Sequence, residues 1–165
     1  MTVPTLPSAL IDAVQHSLEA WCRKASETLQ QAVSPPPIHF DLKGKSAGQA
    51  LLQPGIIRLN PILLLENQTE YFEQVIPHEL AHLLTYQCFG RVKPHGAEWQ
   101  YMMEKVLGIP AITTHKFDVQ SVQGKLFNYR CQCRSHQLTI RRHNKIVRQQ
   151  AQYYCRYCQQ PLTPT

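Results

Sequence analysis

The stretch VIPHELAHLL, residues 75–84, constrains this chain more than any other. It is apolar enough for a core helix, yet it carries His78, Glu79 and His82. Buried ionisable groups are costly unless they are paired or hold a metal. On a helix, positions four apart share a face. His78 and His82 can therefore grip one zinc ion, with Glu79 beside the water that the metal carries. Zinc would acidify that water, and Glu79 would take its proton during attack on a carbonyl. Two hydrogen-bonded core histidines are the plainer alternative, and the amphipathic apolar setting favours the metal.

A catalytic zinc has a third protein ligand and an open position. Downstream candidates are His95, Glu98 and Glu104. With Trp99 as reference, Met102, Met103, Val106 and Leu107 define the inward face of a helix over 98–107. His95 projects onto that face if the helix extends back to it, whereas Glu104 falls opposite, in solvent. Glu98 sits at the edge of the arc as a candidate outer partner. His95 is therefore the predicted third ligand. The metzincin pattern is excluded, because Thr85 and Cys88 stand where it needs glycine and histidine.

Around this motif the pattern is mixed. Residues 8–33 show helical spacing of Leu10, Val14, Leu18 and Trp21, ended by SPPP at 34–37. IHFDL from Ile38 and LLQPGIIRLNP read as strands, the latter around a Pro-Gly turn. Residues 66–90 form a long helical pattern, with Asn67 and Glu70 as a reciprocal cap. Pro77 predicts a kink there, or a second helix with proline in its first turn, and Gly90 a stop. The edge around Ser46–Leu52 is a candidate for pairing with a substrate backbone.

The last third of the chain differs in charge and in cysteine content. Residues 113–165 hold nine lysines and arginines against one acid, Asp118, which leaves eight basic and ten acidic residues before them. Such asymmetry points to a polyanion, most often nucleic acid, rather than to a basic surface kept for solubility. Cys155-x2-Cys158 is a regular zinc half-site. Its partner is less regular: Cys131 and Cys133 are one residue apart, while Cys133-x2-His136 has the usual spacing. The predicted second site is Cys131, Cys133, Cys155 and Cys158 on a structural zinc, with His136 as the alternative ligand. Between the half-sites, LTIRRHNKIVR reads as a hairpin around a His-Asn turn. Arg141, Arg142, Lys145 and Arg148 would protrude from it toward DNA. Tyr129, Tyr153, Tyr154 and Tyr157 could stack bases or simply fill a small core.

A hydrophobic fraction of 43% fits a globular chain. No window has the length of a membrane span, and the N-terminus lacks the pattern of a secretory signal. A cytoplasmic protein is therefore expected, with isolated Cys22 and Cys88 as core residues.

The strings IRLNPILLLEN, VIPHELAHLL, FGRVKPHGAEW and YRCQC…RRHN…YCRYC, in that order, closely resemble the SprT-like family, which includes the DNA-dependent protease Spartan. The resemblance spans nearly the whole chain. It implies a compact α+β, zincin-like metallopeptidase domain (residues 1–124) followed by a small β zinc ribbon (125–165). It also implies that His78, His82 and His95 hold a catalytic zinc, that Glu79 is the base, and that the protein associates with DNA and cleaves DNA-associated or DNA-crosslinked proteins. A competing expectation is a DNA-binding regulatory protein that keeps a zinc site but has little peptidase activity. Intact Glu79 weighs against it, because a structural site needs no base. Hydrolysis of a non-peptide substrate is a third possibility.

Overall fold

The computed structural model describes residues 2–165, which form two compact units, one ending at Val122 and one spanning Gln123–Thr165.

The first unit opens with α1 (Ser8–Leu29), whose buried positions Leu10, Val14, Leu18, Cys22 and Ala25 recur at helical spacing. The prolines at 35–37 do not end it. Gln30 does, in the left-handed conformation (φ 52°), well before the first proline. Three short strands follow: β1 (Ile38–His39), β2 (Gly48–Leu51) and β3 (Ile56–Leu59). The expected Pro-Gly turn joins β2 to β3 antiparallel, with the Gly55 amide donating to the Leu51 carbonyl at 3.0 Å. β1 runs parallel to β3, so the order β1-β3-β2 leaves β2 on an edge.

Asn60 caps α2 (Pro61–Glu66), accepting from the amides of Ile62 and Leu63. The cap expected at Asn67 does not form, because that side chain donates back to the Leu63 carbonyl at 3.0 Å. α3 (Gln68–Glu70) passes through a π-helical turn, Tyr71–Val75, into α4 (Ile76–Phe89). Pro77 lies in the first turn of α4, and the wide turn before it accommodates the proline. In that register Pro77 would donate to the Phe72 carbonyl, but it has no N–H. The Trp21 indole takes the place at 3.0 Å and ties α1 to the π-helical turn. Gly90 ends α4 as expected.

α5 (Ala97–Tyr101) continues as a second π-helical turn, Met102–Val106. Trp99, Met102, Met103, Val106 and Leu107 are buried against α1 and α4, and Glu104 is exposed, as the helical arc predicts. Burial of each large apolar side chain contributes about 1.5–3 kcal/mol, so the shared core of α1, α4 and α5 can hold a helix that carries three polar groups. Cys22 is a core residue, but Cys88 is exposed.

The second unit is a three-stranded sheet of order β5-β4-β6: β4 (Leu126–Arg130), β5 (Ser135–Thr139) and β6 (Thr163–Pro164). Its core is small: Tyr129, Leu138, Cys155 and Leu162. The predicted hairpin over LTIRRHNKIVR is absent. Only Leu138 and Thr139 belong to a strand, and residues Ile140–Val147 form α6. His143 and Ile146, three apart, are the half-buried positions of this helix. The His143 ring stacks on Phe127 (3.7 Å, 5°) and its Nδ1 meets the Tyr129 hydroxyl at 2.9 Å. That anchor lies on β4, so no local periodicity announces it. Among the described residues no helix is long and apolar enough to cross a membrane.

Candidate metal centres

Helical spacing in α4 brings the rings of His78 and His82 together, and the turn Lys93–Gly96 supplies His95. That turn replaces the helical extension predicted for His95: α5 starts only at Ala97, and His95 adopts φ 56°. The Gly96 amide closes the turn on the Lys93 carbonyl at 3.0 Å. The three Nε2 atoms form a triangle with every side 3.1 Å. A zinc ion bound at about 2 Å from each nitrogen needs ligands at this separation.

The tautomer of His78 suits a metal. Nδ1 of His78 lies 3.2 Å from the Ile112 carbonyl, so it carries the proton and leaves the Nε2 lone pair facing the triangle. Burial, then the neighbouring imidazoles, push the pKa of His78 down to about 4 and of His82 to about 3; burial also lowers His95. All three rings are neutral at pH 7, as metal ligation requires. Trp99, which the sequence showed only as a core residue, forms the floor. Its ring centroid lies 4.7–5.5 Å from those of the three histidines, and its indole N–H points at the His78 carbonyl (3.4 Å).

Glu79 points to the sheet. It is buried, and its side chain packs so closely on Gly48 of β2 that a Cβ there would lie 2.7 Å from Oε1. Burial pushes its pKa up to about 8, opposed by the backbone amide of Ala50. The Asn60 amide donates to the Ala47 carbonyl, so antiparallel alternation turns the backbone groups of Gly48 and Ala50 outward. The edge of β2 and the carboxylate are therefore immediate neighbours. Glu98, the candidate outer partner, is half-buried at the start of α5, and it is Trp99 that contacts the histidines.

In the second unit, the sulfurs of Cys131, Cys133, Cys155 and Cys158 all lie within 4.8 Å of one another. Cys133 Sγ is 3.5 Å from Cys131 and 3.6 Å from Cys155, a spacing that suits four thiolates on one zinc at about 2.3 Å. Backbone amides, that of Cys158 foremost, bring Cys155 down to about 6, whereas the neighbouring thiols push Cys133 up to about 12. Four thiolates cannot ionise together without a cation, and a bound metal would displace the proton held on Cys133. His136 lies outside this set with Nε2 3.2 Å from Cys131 Sγ, where an N–H can donate to a ligating sulfur.

Arg141, Arg142 and Lys145 are exposed on α6, and Arg148 immediately follows it. The tyrosines divide: Tyr129 fills the core, Tyr153 is half-buried under Arg142, and Tyr154 and Tyr157 are exposed. The Arg134 guanidinium stacks on Tyr157 at 3.8 Å.

A family model described as the SprT-like family matches residues 18–116, and one described as the SprT-like zinc ribbon domain matches residues 125–165. The chain belongs to the SprT-like family. Curated relatives agree over nearly their whole length. Protein SprT of Klebsiella pneumoniae is 51% identical over 158 residues, covering 96% of this chain and 95% of the relative. Protein SprT of Yersinia pseudotuberculosis is 50% identical over 162 residues, covering 98% and 95%. That of Pectobacterium carotovorum is 51% identical with the same coverage. Among solved structures, none matches significantly. The chain thus pairs a SprT-like domain of helices and a small sheet with a C-terminal zinc ribbon that carries a four-cysteine cluster.

Proposed function

We propose that this chain is a zinc-dependent endopeptidase of zincin type that acts on DNA-associated proteins. The observation that carries the reading is the juxtaposition of the three-histidine triangle, buried Glu79 and the open edge of β2. A purely structural metal site would need neither an acid–base group nor a free strand edge.

His78, His82 and His95 would hold zinc, which supplies Lewis acidity toward a carbonyl and a water. Glu79 accepts the proton of the attacking water and delivers it to the leaving amine. Its apolar surroundings, which raise its proton affinity, suit it to both steps. An extended substrate pairs with the outward backbone groups of Gly48 and the outward carbonyl of Ala50 as an added strand, which brings a peptide bond alongside the carboxylate. The Ala50 amide stays with Glu79.

In the ribbon, Cys131, Cys133, Cys155 and Cys158 would hold a second, structural zinc. Arg141, Arg142, Lys145 and Arg148 would contact DNA phosphates, and exposed Tyr154 and Tyr157 offer faces for unpaired bases. DNA would localise the enzyme to protein substrates in the cytoplasm. The test is cleavage of a DNA-binding protein by the zinc-loaded chain with and without single-stranded DNA. Cleavage that DNA stimulates is expected; no cleavage under either condition would refute the reading.

A further inference from the structure

Residues Ala111–Val119 have no regular secondary structure, yet they are fixed at both sides of the candidate centre. Ile112 lends its carbonyl to His78. Three residues on, His115 reaches the loop that leads into β2, with Nε2 3.2 Å from the Lys45 carbonyl. Its tautomer is defined, because the Phe117 amide donates to Nδ1 (3.3 Å), which places the proton on Nε2. The His115 ring stacks on Phe117 (4.4 Å), and Phe117 stacks on buried Tyr71 (5.7 Å).

Every carbonyl of the loop Gly44–Ala47 is held from outside the loop. Asn60 Nδ2 donates to Gly44 (2.8 Å) and Ser46 (3.3 Å). The Asn60 amide and the Tyr71 hydroxyl, each at 2.9 Å, donate to Ala47. Lys45 is the remaining one, and His115 holds it. Only this tie comes from the segment that also orients His78. Gly48, the residue against Glu79, follows directly. His115 thus links the setting of the substrate edge to the setting of the metal-facing ring.

We propose that His115 is a positioning residue for substrate: through Lys45 it sets the edge of β2 relative to Glu79 and the histidine triangle, so that an added substrate strand is held in register. The proposal rests on the peptidase reading for its consequence, although the tether itself does not. Asn60 and Tyr71 hold the other carbonyls, so loss of His115 leaves the fold and the histidine triangle standing.

The test compares the full-length zinc-loaded wild type with His115→Ala and His115→Gln, in which glutamine keeps a side-chain N–H at similar reach. Cleavage of labelled casein with single-stranded DNA is measured together with zinc content and amide hydrogen exchange over residues 44–51. For His115→Ala the expected result is a KM raised about fivefold, the loss of one ordinary hydrogen bond, with kcat within twofold, zinc unchanged and exchange accelerated over 44–51. Glutamine should restore both KM and exchange. Unchanged KM and exchange in His115→Ala would overturn the proposal. So would a joint fall in kcat and zinc content that glutamine does not rescue, because that describes a residue serving the fold alone. If the wild type cleaves nothing, the peptidase reading fails by itself, and the exchange arm still decides the tether: acceleration in the alanine variant alone supports it, and no change overturns it.

Discussion

Gly48→Ala examines the packing on which the proposed chemistry turns. An alanine Cβ at this position would lie 2.7 Å from Glu79 Oε1, 2.8 Å from Cγ and 3.0 Å from Cδ. Ordinary carbon contacts begin near 3.5 Å, so the carboxylate must retreat by roughly 0.5–1 Å. Backbone strain is not at issue, because Gly48 is not among the positive-φ glycines and sits in a regular strand. The clash falls on the end of a flexible side chain, so the fold should survive with little change in Tm. A misplacement of about 1 Å at a reacting group costs up to about a hundredfold in rate. The expected result is therefore a kcat lowered about 10–100-fold, or about 1.4–2.7 kcal/mol in the barrier, with zinc content and KM close to wild type. Steady-state cleavage, zinc analysis and a thermal melt on the same preparation measure all of this. Full activity in Gly48→Ala would refute the claim that Glu79 acts from its place against β2.

In the metal-free protein, protonation of His78 and His82 opposes folding, so their contribution is intact above pH 6.5 and is lost as pH falls toward about 4 and about 3. Glu79 acts in the opposite sense: its raised pKa leaves stability intact below 4.5 and removes it as pH rises toward about 8. Denaturant titrations should therefore place the metal-free maximum near pH 6.5, with limbs no steeper than about 1.4 kcal/mol per pH unit per group. Glu79→Gln should flatten the alkaline limb, and an unchanged limb would refute the assignment. His136→Ala should keep the ribbon zinc, whereas Cys131→Ala should lose it, as counted by metal analysis; the reverse outcome would make His136 the ligand. Charge reversal at Arg141 and Arg142 should weaken binding of single-stranded DNA and reduce the slope of log affinity against log salt by about 0.7 for each phosphate no longer neutralised, measured by fluorescence anisotropy. A slope equal to that of the wild type would remove α6 from the interface.

What could be read from the sequence was what regular periodicity carries. His78 and His82 met because positions four apart share a helix face, and the arc from Trp99 to Leu107 is buried for the same reason. His95 was reachable as a candidate, but the left-handed turn that delivers it was not, since positive φ is uncommon at any residue other than glycine and histidine is only a weak signal for it. The four cysteines came together despite the short Cys131–Cys133 spacing, because β4, β5 and the Cys155 turn fold around them. Features made by distant pairs stayed hidden. α6 is held by the stacking of His143 on a strand residue, the π-helical turn is completed by Trp21, and Gly48 gains its meaning only when Glu79 arrives beside it. His115 and Ile112 lie in a segment with no periodicity at all, where the sequence offered only a mixed stretch between the third helix and the ribbon.

The most direct test of the central claim compares zinc-loaded wild type and Glu79→Gln in cleavage of a DNA-binding protein with single-stranded DNA present, with zinc content measured on both. Because the three imidazoles and not the carboxylate form the metal triangle, both proteins should hold equal zinc while only the wild type cleaves. Equal cleavage by both would contradict the assignment of Glu79 as the proton-transferring group, and with it the peptidase mechanism derived from this site.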